Sequence, residues 1–290
     1  MASERMRVGL IGLGLMGQAL ATRLVPAGFR VLGYDLDAAK GAKLEAMGGE
    51  AGSLADVAKC GTILLAVFST DQVEDVVENA LAPAAGGGKI VLCTSTCDPD
   101  RIAALAARVA PKGIRFLETP VSGSSGQVSR GEGTGLIGGD PATAAEVGEL
   151  LDALFPKRFH IGKAGDGGRA KLAINLILGL NRMALAEGIV FASRLGLDAK
   201  AFLDVARASA AYSQVMDIKG RKMVEREFKP EGFVHQSLKD FTLMQEQAAR
   251  LGQMLPALEL NKSLLEACVR AGEADYDNSA VIEEIRRRRK

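Results

Sequence analysis

A glycine-rich turn lies between the first apolar run of this chain, Arg7–Ile11, and a segment with helical spacing of apolar residues, Met16–Ala27. Within its G-x-G-x-x-G pattern, Gly12 permits a tight turn, Gly14 lets the backbone approach a pyrophosphate, and Gly17 lets helix pack on strand. The free N–H groups and positive dipole end of the helix would face the phosphates. With these flanking elements the turn predicts a dinucleotide site. Its predicted cofactor contacts are Gly12, Leu13, Gly14, Leu15, Met16 and Gly17.

A carboxylate after the second apolar run indicates which dinucleotide the site takes. Asp35 follows Arg30–Tyr34 at about 20 residues from the glycines, where an acidic residue accepts hydrogen bonds from the adenosine ribose. The same charge would repel a 2′-phosphate, and Leu36 and Asp37 stand where an arginine would favour one. The sequence therefore favours NAD over NADP.

Apolar runs and helical segments alternate through the first half of the chain. The wholly apolar runs are typical of strands in a parallel sheet, which crossover helices cover on both faces. The predicted strands are Arg7–Ile11, Arg30–Tyr34, Thr62–Phe68, Lys89–Cys93, Arg115–Leu117, Gly133–Ile137 and Arg158–Ile161. The predicted helices are Met16–Ala27, Ala38–Met47, Ser53–Ala58, Asp71–Leu81, Pro99–Ala110 and Pro141–Leu154, with Ser53 and Thr70 as N-caps and Pro99 in a first turn. This alternation indicates an α/β domain with a doubly wound sheet.

The second half of the chain shows helical patterns only. A long pattern, Arg169–Leu195, comes first, and the shorter ones are Ala199–Ala208, Ser237–Leu251, Pro256–Ala271 and Ser279–Arg289. We therefore expect two domains, an α/β domain over residues 1–163 and an all-α domain over residues 164–290. The basic tail at 286–290 is interpreted as a solvated helix end.

Composition excludes several classes of partner. The net charge is +1, aromatic residues make up 4%, and tryptophan is absent, so neither a nucleic acid nor a membrane surface is expected as a partner. No stretch approaches ~20 uninterrupted apolar residues, and the start of the chain does not resemble a signal peptide. Cys93 and Cys97 have no second pair to complete a metal site, so we interpret them as reduced, buried thiols. These observations predict a cytoplasmic protein.

Three segments carry candidate catalytic residues. Ser95 and Thr96 follow the predicted strand Lys89–Cys93, at the edge where such sheets bind ligands. The small residues at 120–124, Pro-Val-Ser-Gly-Ser, suit a loop whose N–H groups and hydroxyl bind a carboxylate. Lys171 and Asn175 share one face near the start of the long helix. Lys171 is a candidate proton donor and acceptor, although a lysine considered alone is more often a surface residue.

Together these segments resemble the β-hydroxyacid dehydrogenase family, which includes 3-hydroxyisobutyrate dehydrogenase, tartronate semialdehyde reductase and glyoxylate/succinic semialdehyde reductases. The likeness covers nearly the whole chain, and the KLAIN stretch at 171–175 looks most like the glyoxylate/succinic semialdehyde reductase branch. The matching segments are GLGLMG at 12–17, STCDP at 95–99, PVSGSSG at 120–126, GDGGRAKLAIN at 165–175, and Lys239-Asp240 after Gly232-Phe233.

The resemblance implies an N-terminal Rossmann-like domain, a C-terminal all-α domain led by a long interdomain helix, and a site in the cleft between them. It implies a small carboxylate-bearing substrate and a homodimer or homotetramer. By the same resemblance, Lys171 is the general acid and base, and Asn175 holds the substrate or that lysine. The other implied roles are carboxylate binding by Ser122 and Gly123, contact with the nicotinamide ribose or ring by Thr96, and closure over the cofactor by Lys239.

Two positions depart from the family pattern. Cys93 stands where members commonly have Asp, and Ser124 replaces a second Gly. Asp35 also differs from the Asn-Arg signature of the NADP-preferring branch. We expect an NAD-dependent enzyme that interconverts a small β-hydroxyacid and its semialdehyde. The alternatives are an imine reductase-like enzyme, a class that usually lacks the lysine at 171, and a non-catalytic NAD-binding interaction module.

Overall fold

The computed structural model describes residues 6–86 and 88–288. The chain forms two units, of which the first ends at Lys171 and the second begins at Leu172. This division falls inside a long helix, slightly beyond the predicted boundary between residues 163 and 164. Arg289 and Lys290 of the predicted basic tail lie outside the described residues.

A mixed sheet forms the centre of the first unit. Its strands are β1 (Arg7–Ile11), β2 (Arg30–Tyr34), β3 (Glu50–Ala51), β4 (Thr62–Leu65), β5 (Lys89–Cys93), β6 (Ile114–Glu118), β7 (Val121–Ser122), β8 (Thr134–Gly138) and β9 (Lys157–Gly162). The order is β3-β2-β1-β4-β5-β6-β8-β7, with β9 beside β8. Strands β1 to β6 are parallel, whereas β8 is antiparallel to β6 and β7. The strand order reverses between β1 and β4, the place where doubly wound sheets bind ligands.

Helices cover both faces of this sheet, as the doubly wound prediction requires. They are α1 (Leu15–Leu24), α2 (Ala38–Ala46), α3 (Leu54–Val57), α4 (Thr70–Asp75, continued by a π-helical turn at Val76–Leu81), α5 (Pro99–Val109, continued by a 3₁₀ turn at Ala110–Lys112), α6 (Ser125–Ser129), α7 (Pro141–Glu146), α8 (Gly148–Leu154) and the start of α9 (Asp166–Arg194). Side chains alternate along each strand. Ile90 and Leu92 of β5 therefore enter one apolar cluster, while Val91 and Cys93 enter another. The Rossmann-like prediction is confirmed.

The second unit is helical. After the rest of α9 come α10 (Ala199–Arg207), α11 (Gln214–Glu225), α12 (Val234–Arg250), α13 (Pro256–Arg270) and α14 (Val281–Arg287), the last preceded by a 3₁₀ turn at Asn278–Ala280. Two apolar clusters lie among these helices. An isolated antiparallel β-bridge joins Phe233 to Asp277 in this unit.

Several local predictions need correction. Thr70 is not an N-cap, because the Ser69 side chain accepts the hydrogen bond from the Gln72 N–H and Thr70 begins the helix. The predicted helix Pro141–Leu154 is interrupted at Val147, whose backbone leaves the helical conformation. Elements that the patterns did not predict are β3, β7, α6 and α11. The predicted Ser53 cap and the first-turn position of Pro99 are both confirmed.

Among the described residues, α9 is long and apolar enough to cross a membrane by length and composition alone. The core helices of soluble proteins pass the same test, and a third of the apolar window of α9 is buried.

Candidate active site

The turn between β1 and α1 has the shape that a dinucleotide needs. Gly12 has φ +91°, and a Cβ there would lie 2.5 Å from the Ala66 carbonyl oxygen. A Cβ at Gly17 would lie 2.0 Å from the Gly12 carbonyl oxygen. By contrast, a Cβ at Gly14 would meet no atom within 4 Å. Protein backbone thus packs closely against Gly12 and Gly17, whereas the space beside Gly14 is free of protein atoms. This free space fits a bound pyrophosphate.

The other residues of this turn face the core and the first helical turn. Leu13 is buried in the apolar cluster that β1 and α1 share. Leu15 and Met16 are half-buried in the first turn of α1. Their backbone N–H groups therefore belong to the helix start that would face the phosphates.

Asp35 lies beside the same turn. Its Oδ2 accepts a hydrogen bond from the Leu13 N–H at 2.7 Å, and its Oδ1 accepts from the Asp37 N–H at 2.9 Å and from Lys40 Nζ at 3.1 Å. Burial raises its pKa, but these donors outweigh burial and hold the pKa of Asp35 below its ordinary value. The lowered pKa makes Asp35 an anion beside the glycine-rich turn. Lys40 is a neighbour that the sequence pattern did not identify.

Hydrogen bonds tie together the loops that follow β4, β5 and β6. The Ser95 hydroxyl donates to the Val67 carbonyl at 2.6 Å, and the Thr119 N–H donates to the Cys93 carbonyl at 2.8 Å. Thr96 lies half-buried in the middle loop of the three. It therefore stands at the same edge of the sheet as the glycine-rich turn.

The position at which the family pattern has Asp is occupied here by a buried thiol. A hydrogen bond with Cys97, together with burial, raises the pKa of the Cys93 thiol. All four cysteines, Cys60, Cys93, Cys97 and Cys268, are free and buried. The prediction that Cys93 and Cys97 are buried is confirmed.

Lys171, the sixth residue of α9, is brought to the loop that carries Ser122. Its Nζ donates to the Val121 carbonyl at 2.5 Å, and the residue is 7% exposed. It is therefore not a surface lysine. Ser122 is half-buried in β7, and Gly123 has φ +145°, a conformation that favours glycine.

Ser124 has a structural role that explains one departure from the family pattern. Its side chain accepts a hydrogen bond from the Gln127 N–H, and the Gln127 side chain accepts one from the Ser124 N–H, so the two residues form a capping box on α6. The substitution thus caps the short helix after the loop that the sequence predicts to bind a carboxylate.

In the second unit, Asn175 and Lys239 converge on one buried carboxylate. Asn175 Nδ2 donates to Asp240 Oδ2 at 2.9 Å, and Lys239 Nζ lies 3.1 Å from Asp240 Oδ1. Asp240 was not predicted as a site residue. The sequence feature that could have identified Asp240 is its position directly after Lys239.

Family models match both halves of the chain. The model described as the NAD binding domain of 6-phosphogluconate dehydrogenase matches residues 7–162. The model described as the NAD-binding domain of NADP-dependent 3-hydroxyisobutyrate dehydrogenase matches residues 165–285.

Similar proteins span almost the whole chain. It is 30% identical over 288 residues to 2-hydroxy-3-oxopropionate reductase of Escherichia coli, covering 97% of each chain. It is 31% identical to L-threonate dehydrogenase of Cupriavidus necator, covering 95% of this chain and 94% of that protein. A solved structure, 3-hydroxyisobutyrate dehydrogenase from Salmonella typhimurium, superposes with a TM-score of 0.89 at 28% identity, covering 96% of this chain and 99% of that one.

Proposed function

The chain belongs to the β-hydroxyacid dehydrogenase family, and we propose that it uses NAD to interconvert a small β-hydroxyacid and its semialdehyde, with Lys171 as general acid and base. Its membership makes it an NAD(P)-dependent oxidoreductase of hydroxyacids. The cofactor preference, the substrate class and the residue roles are our proposals.

The observation that supports this proposal best is the place of the Lys171 ammonium. It is buried and donates to the carbonyl of Val121, the residue before Ser122. A substrate carboxylate bound by the Ser122 hydroxyl and the Gly123 N–H would thus lie beside a group that can exchange a proton. Fixing the acid next to that group is the positioning part of catalysis.

Lys171 performs the proton transfer in both directions. When the hydroxyacid is oxidised, neutral Lys171 removes the hydroxyl proton. When the semialdehyde is reduced, the Lys171 ammonium donates a proton to the developing alkoxide. A bound nicotinamide supplies the hydride chemistry. The residues that would hold NAD are the glycine-rich turn at 12–17, Asp35, Thr96 and Lys239, while Asn175 would hold the substrate or Lys171.

The Asp35 carboxylate supports NAD as the cofactor. Its pKa is lowered, so it is an anion, and beside the adenosine ribose this charge would repel a 2′-phosphate. Lys40 and two backbone N–H groups all donate to Asp35 and keep it ionised.

The first test is a substrate panel with NADH and NADPH. It contains methylmalonate, tartronate and succinic semialdehydes and glyoxylate, with L-threonate and the matching hydroxyacids in the oxidative direction. We expect turnover of one acid with a preference for NADH. Turnover of a cyclic imine without any hydroxyacid would contradict the proposed reaction. Cofactor binding without turnover of any compound would favour a binding role.

Lys171→Ala tests the catalytic assignment. General acid–base catalysis contributes about 10²–10⁴-fold, so kcat should fall by that factor while the dissociation constant of NADH, measured by fluorescence, stays unchanged. The matched control is Lys163→Ala, at an exposed lysine just before α9, which should keep wild-type kcat. Near-wild-type turnover of Lys171→Ala would overturn the assignment.

The cytoplasmic location and the homodimer or homotetramer stay predictions. Size-exclusion chromatography with light scattering of the purified full chain would give the oligomeric state.

A further inference from the structure

Glu118, the last residue of β6, is a buried carboxylate that faces the start of α9. It is 4% exposed. Its Oε2 accepts the Gly165 N–H at 2.5 Å, and the carboxylate also accepts the Gly168 N–H. The first turn of a helix has N–H groups without partners inside the helix. Glu118 lies on a strand that is distant in sequence, and it therefore supplies hydrogen-bond acceptors to N–H groups at the start of the helix.

Glycines surround this carboxylate closely. A Cβ on Gly138 would lie 2.8 Å from Glu118 Oε2, and a Cβ on Gly168 would lie 2.8 Å from Glu118 Oε1. A Cβ on Gly167 would lie 3.3 Å from the Glu118 Cβ. Larger residues at Gly138 or Gly168 would overlap the carboxylate, so the last residue of β8 and the Gly-Asp-Gly-Gly run before Lys171 both leave space for it.

The same short segment also holds the side chain of Lys171. Val121, three residues after Glu118, accepts the hydrogen bond from Lys171 Nζ. Glu118 thus fixes the backbone of the first turn of α9, and Val121 fixes the ammonium one turn later. Ser122 and Gly123 follow directly, so one segment sets the distance between the lysine and the proposed carboxylate loop.

We propose that Glu118 is a positioning residue, whose carboxylate holds the start of α9 so that Lys171 faces the Ser122–Gly123 loop. This inference rests on the proposed role of Lys171. A carboxylate is required because two N–H groups converge on it. A glutamine could accept only one of them, and its own NH₂ group would oppose the other.

The charge state of Glu118 gives the inference a pH signature. Burial raises the pKa of Glu118 to about 7; the Gly165 and Gly168 N–H groups and Arg169 lower it, whereas Asp166 raises it. The Cys93 thiol on β5 is a further titratable group that interacts electrostatically with Glu118. Protonation of Glu118 weakens its ability to accept hydrogen bonds from the N–H groups at the start of α9. Wild-type kcat should therefore rise with pH through about 7.

The test uses Glu118→Gln, Lys171→Ala and the double variant in the full chain, with the hydroxyacid and cofactor that the panel identifies. We expect Glu118→Gln to lower kcat by about 10²-fold, the loss typical of a small misplacement of a catalytic group. The NADH dissociation constant and the substrate KM should change less than threefold, and the rise of kcat with pH should disappear. The double variant should be no slower than Lys171→Ala, because Glu118 acts through Lys171.

Asp140→Asn is the matched control. Asp140 is an exposed carboxylate that caps α7 by accepting the Thr143 N–H, and this variant should keep wild-type kcat. Gly168→Ala is a second variant in case Glu118→Gln is poorly folded. Its Cβ would displace the carboxylate without removing it, and we expect kcat to fall at least tenfold with KM retained.

Three results would overturn the inference. Wild-type kcat in Glu118→Gln, with Lys171→Ala inactive, would contradict the role of Glu118 and leave the proposed function intact. If the double variant lost kcat by the product of the two single losses, Glu118 would have a structural effect that does not act through Lys171. Normal turnover by Lys171→Ala would remove the proposed catalytic role and this inference with it.

Discussion

At the scale of single residues, we propose that the choice of cofactor depends on the Asp35 carboxylate and its hydrogen-bond donors. Asp35 accepts hydrogen bonds from Leu13, Asp37 and Lys40, which keep it ionised. An anion at this place favours ribose hydroxyls and disfavours a phosphate. The proposed preference for NAD thus rests on the charge of Asp35 more than on the shape of the site.

Asp35→Asn should therefore shift the preference toward NADPH. Loss of the charge removes the repulsion, and Lys40 becomes available to a 2′-phosphate. We expect the ratio of kcat/KM for NADPH to that for NADH to rise at least tenfold. Steady-state kinetics with both cofactors measure this ratio.

The control for this change is Asp37→Asn, which removes an equal charge from a residue that caps α2 through the Ala39 N–H. It should leave the ratio within about twofold of wild type. An unchanged ratio in Asp35→Asn would contradict the assignment of cofactor preference to Asp35.

At the scale of elements, two glycines of the G-x-G-x-x-G pattern, Gly14 before α1 and Gly17 in its first turn, have different structural environments. Gly17 makes room for the Gly12 carbonyl, while Gly14 has open space in front of it and a backbone conformation, φ −68°, that alanine adopts readily. We therefore expect Gly17 to be needed for the fold and Gly14 to be needed for the ligand.

Replacing each of these glycines by alanine should separate the two effects. Gly14→Ala should change the free energy of unfolding by no more than about 1 kcal/mol and weaken NADH binding at least tenfold. Gly17→Ala should lower the free energy of unfolding by about 3 kcal/mol, because its Cβ overlaps backbone. Urea unfolding and NADH titration measure the two quantities, and normal NADH binding by Gly14→Ala would contradict the site.

The start of α9 gives a second prediction at this scale, because burial raises the pKa of Glu118 from 4.5 to about 7. The folded state then binds the Glu118 proton more tightly than the unfolded state. The contribution of this proton to the free energy of unfolding is therefore complete below pH 4.5 and is lost as pH rises through about 7. The free energy of unfolding of the wild type should fall by about 3 kcal/mol relative to Glu118→Gln between pH 4.5 and pH 8. Urea unfolding of both proteins at the two pH values measures this difference, and parallel pH curves would contradict it.

At the scale of the whole molecule, each unit has its own core, and the helical unit contains a buried ion pair. Lys219 Nζ lies 2.8 Å from Asp277 Oδ2, and the Asp277 side chain is fully buried. Asp277 also accepts hydrogen bonds from the Glu231 N–H and from the Ser279 hydroxyl. This carboxylate joins α11 to the segment before α14.

Asp277→Ala should destabilise the helical unit by about 3–5 kcal/mol, because it leaves the Lys219 ammonium buried without its partner. Urea unfolding followed by circular dichroism measures the loss. Glu225→Ala removes an exposed partner of Arg221 and should change the free energy of unfolding by less than about 0.5 kcal/mol. Equal effects of the two substitutions would contradict the importance of the buried pair.

The sequence alone determined the parts of this protein that depend on local patterns. The glycine turn, Asp35 after β2, most strands of the sheet and the long helix with Lys171 could all be predicted, because turn chemistry and hydrophobic period act over a few residues. Helix α11 was missed because only part of one face is apolar, with Val215, Met216 and Met223 buried among charged residues.

The tertiary structure alone decided which distant residues meet. Glu118 reaches the Gly165 N–H across 47 positions, and Asp240 reaches Asn175 across 65. No local period encodes such contacts, since they depend on the order of strands in the sheet and on how helices pack. The sequence thus determined which residues could do the chemistry, whereas the folded structure decided what holds Lys171 and Asn175 in place, because a side chain's partners are set by packing in three dimensions.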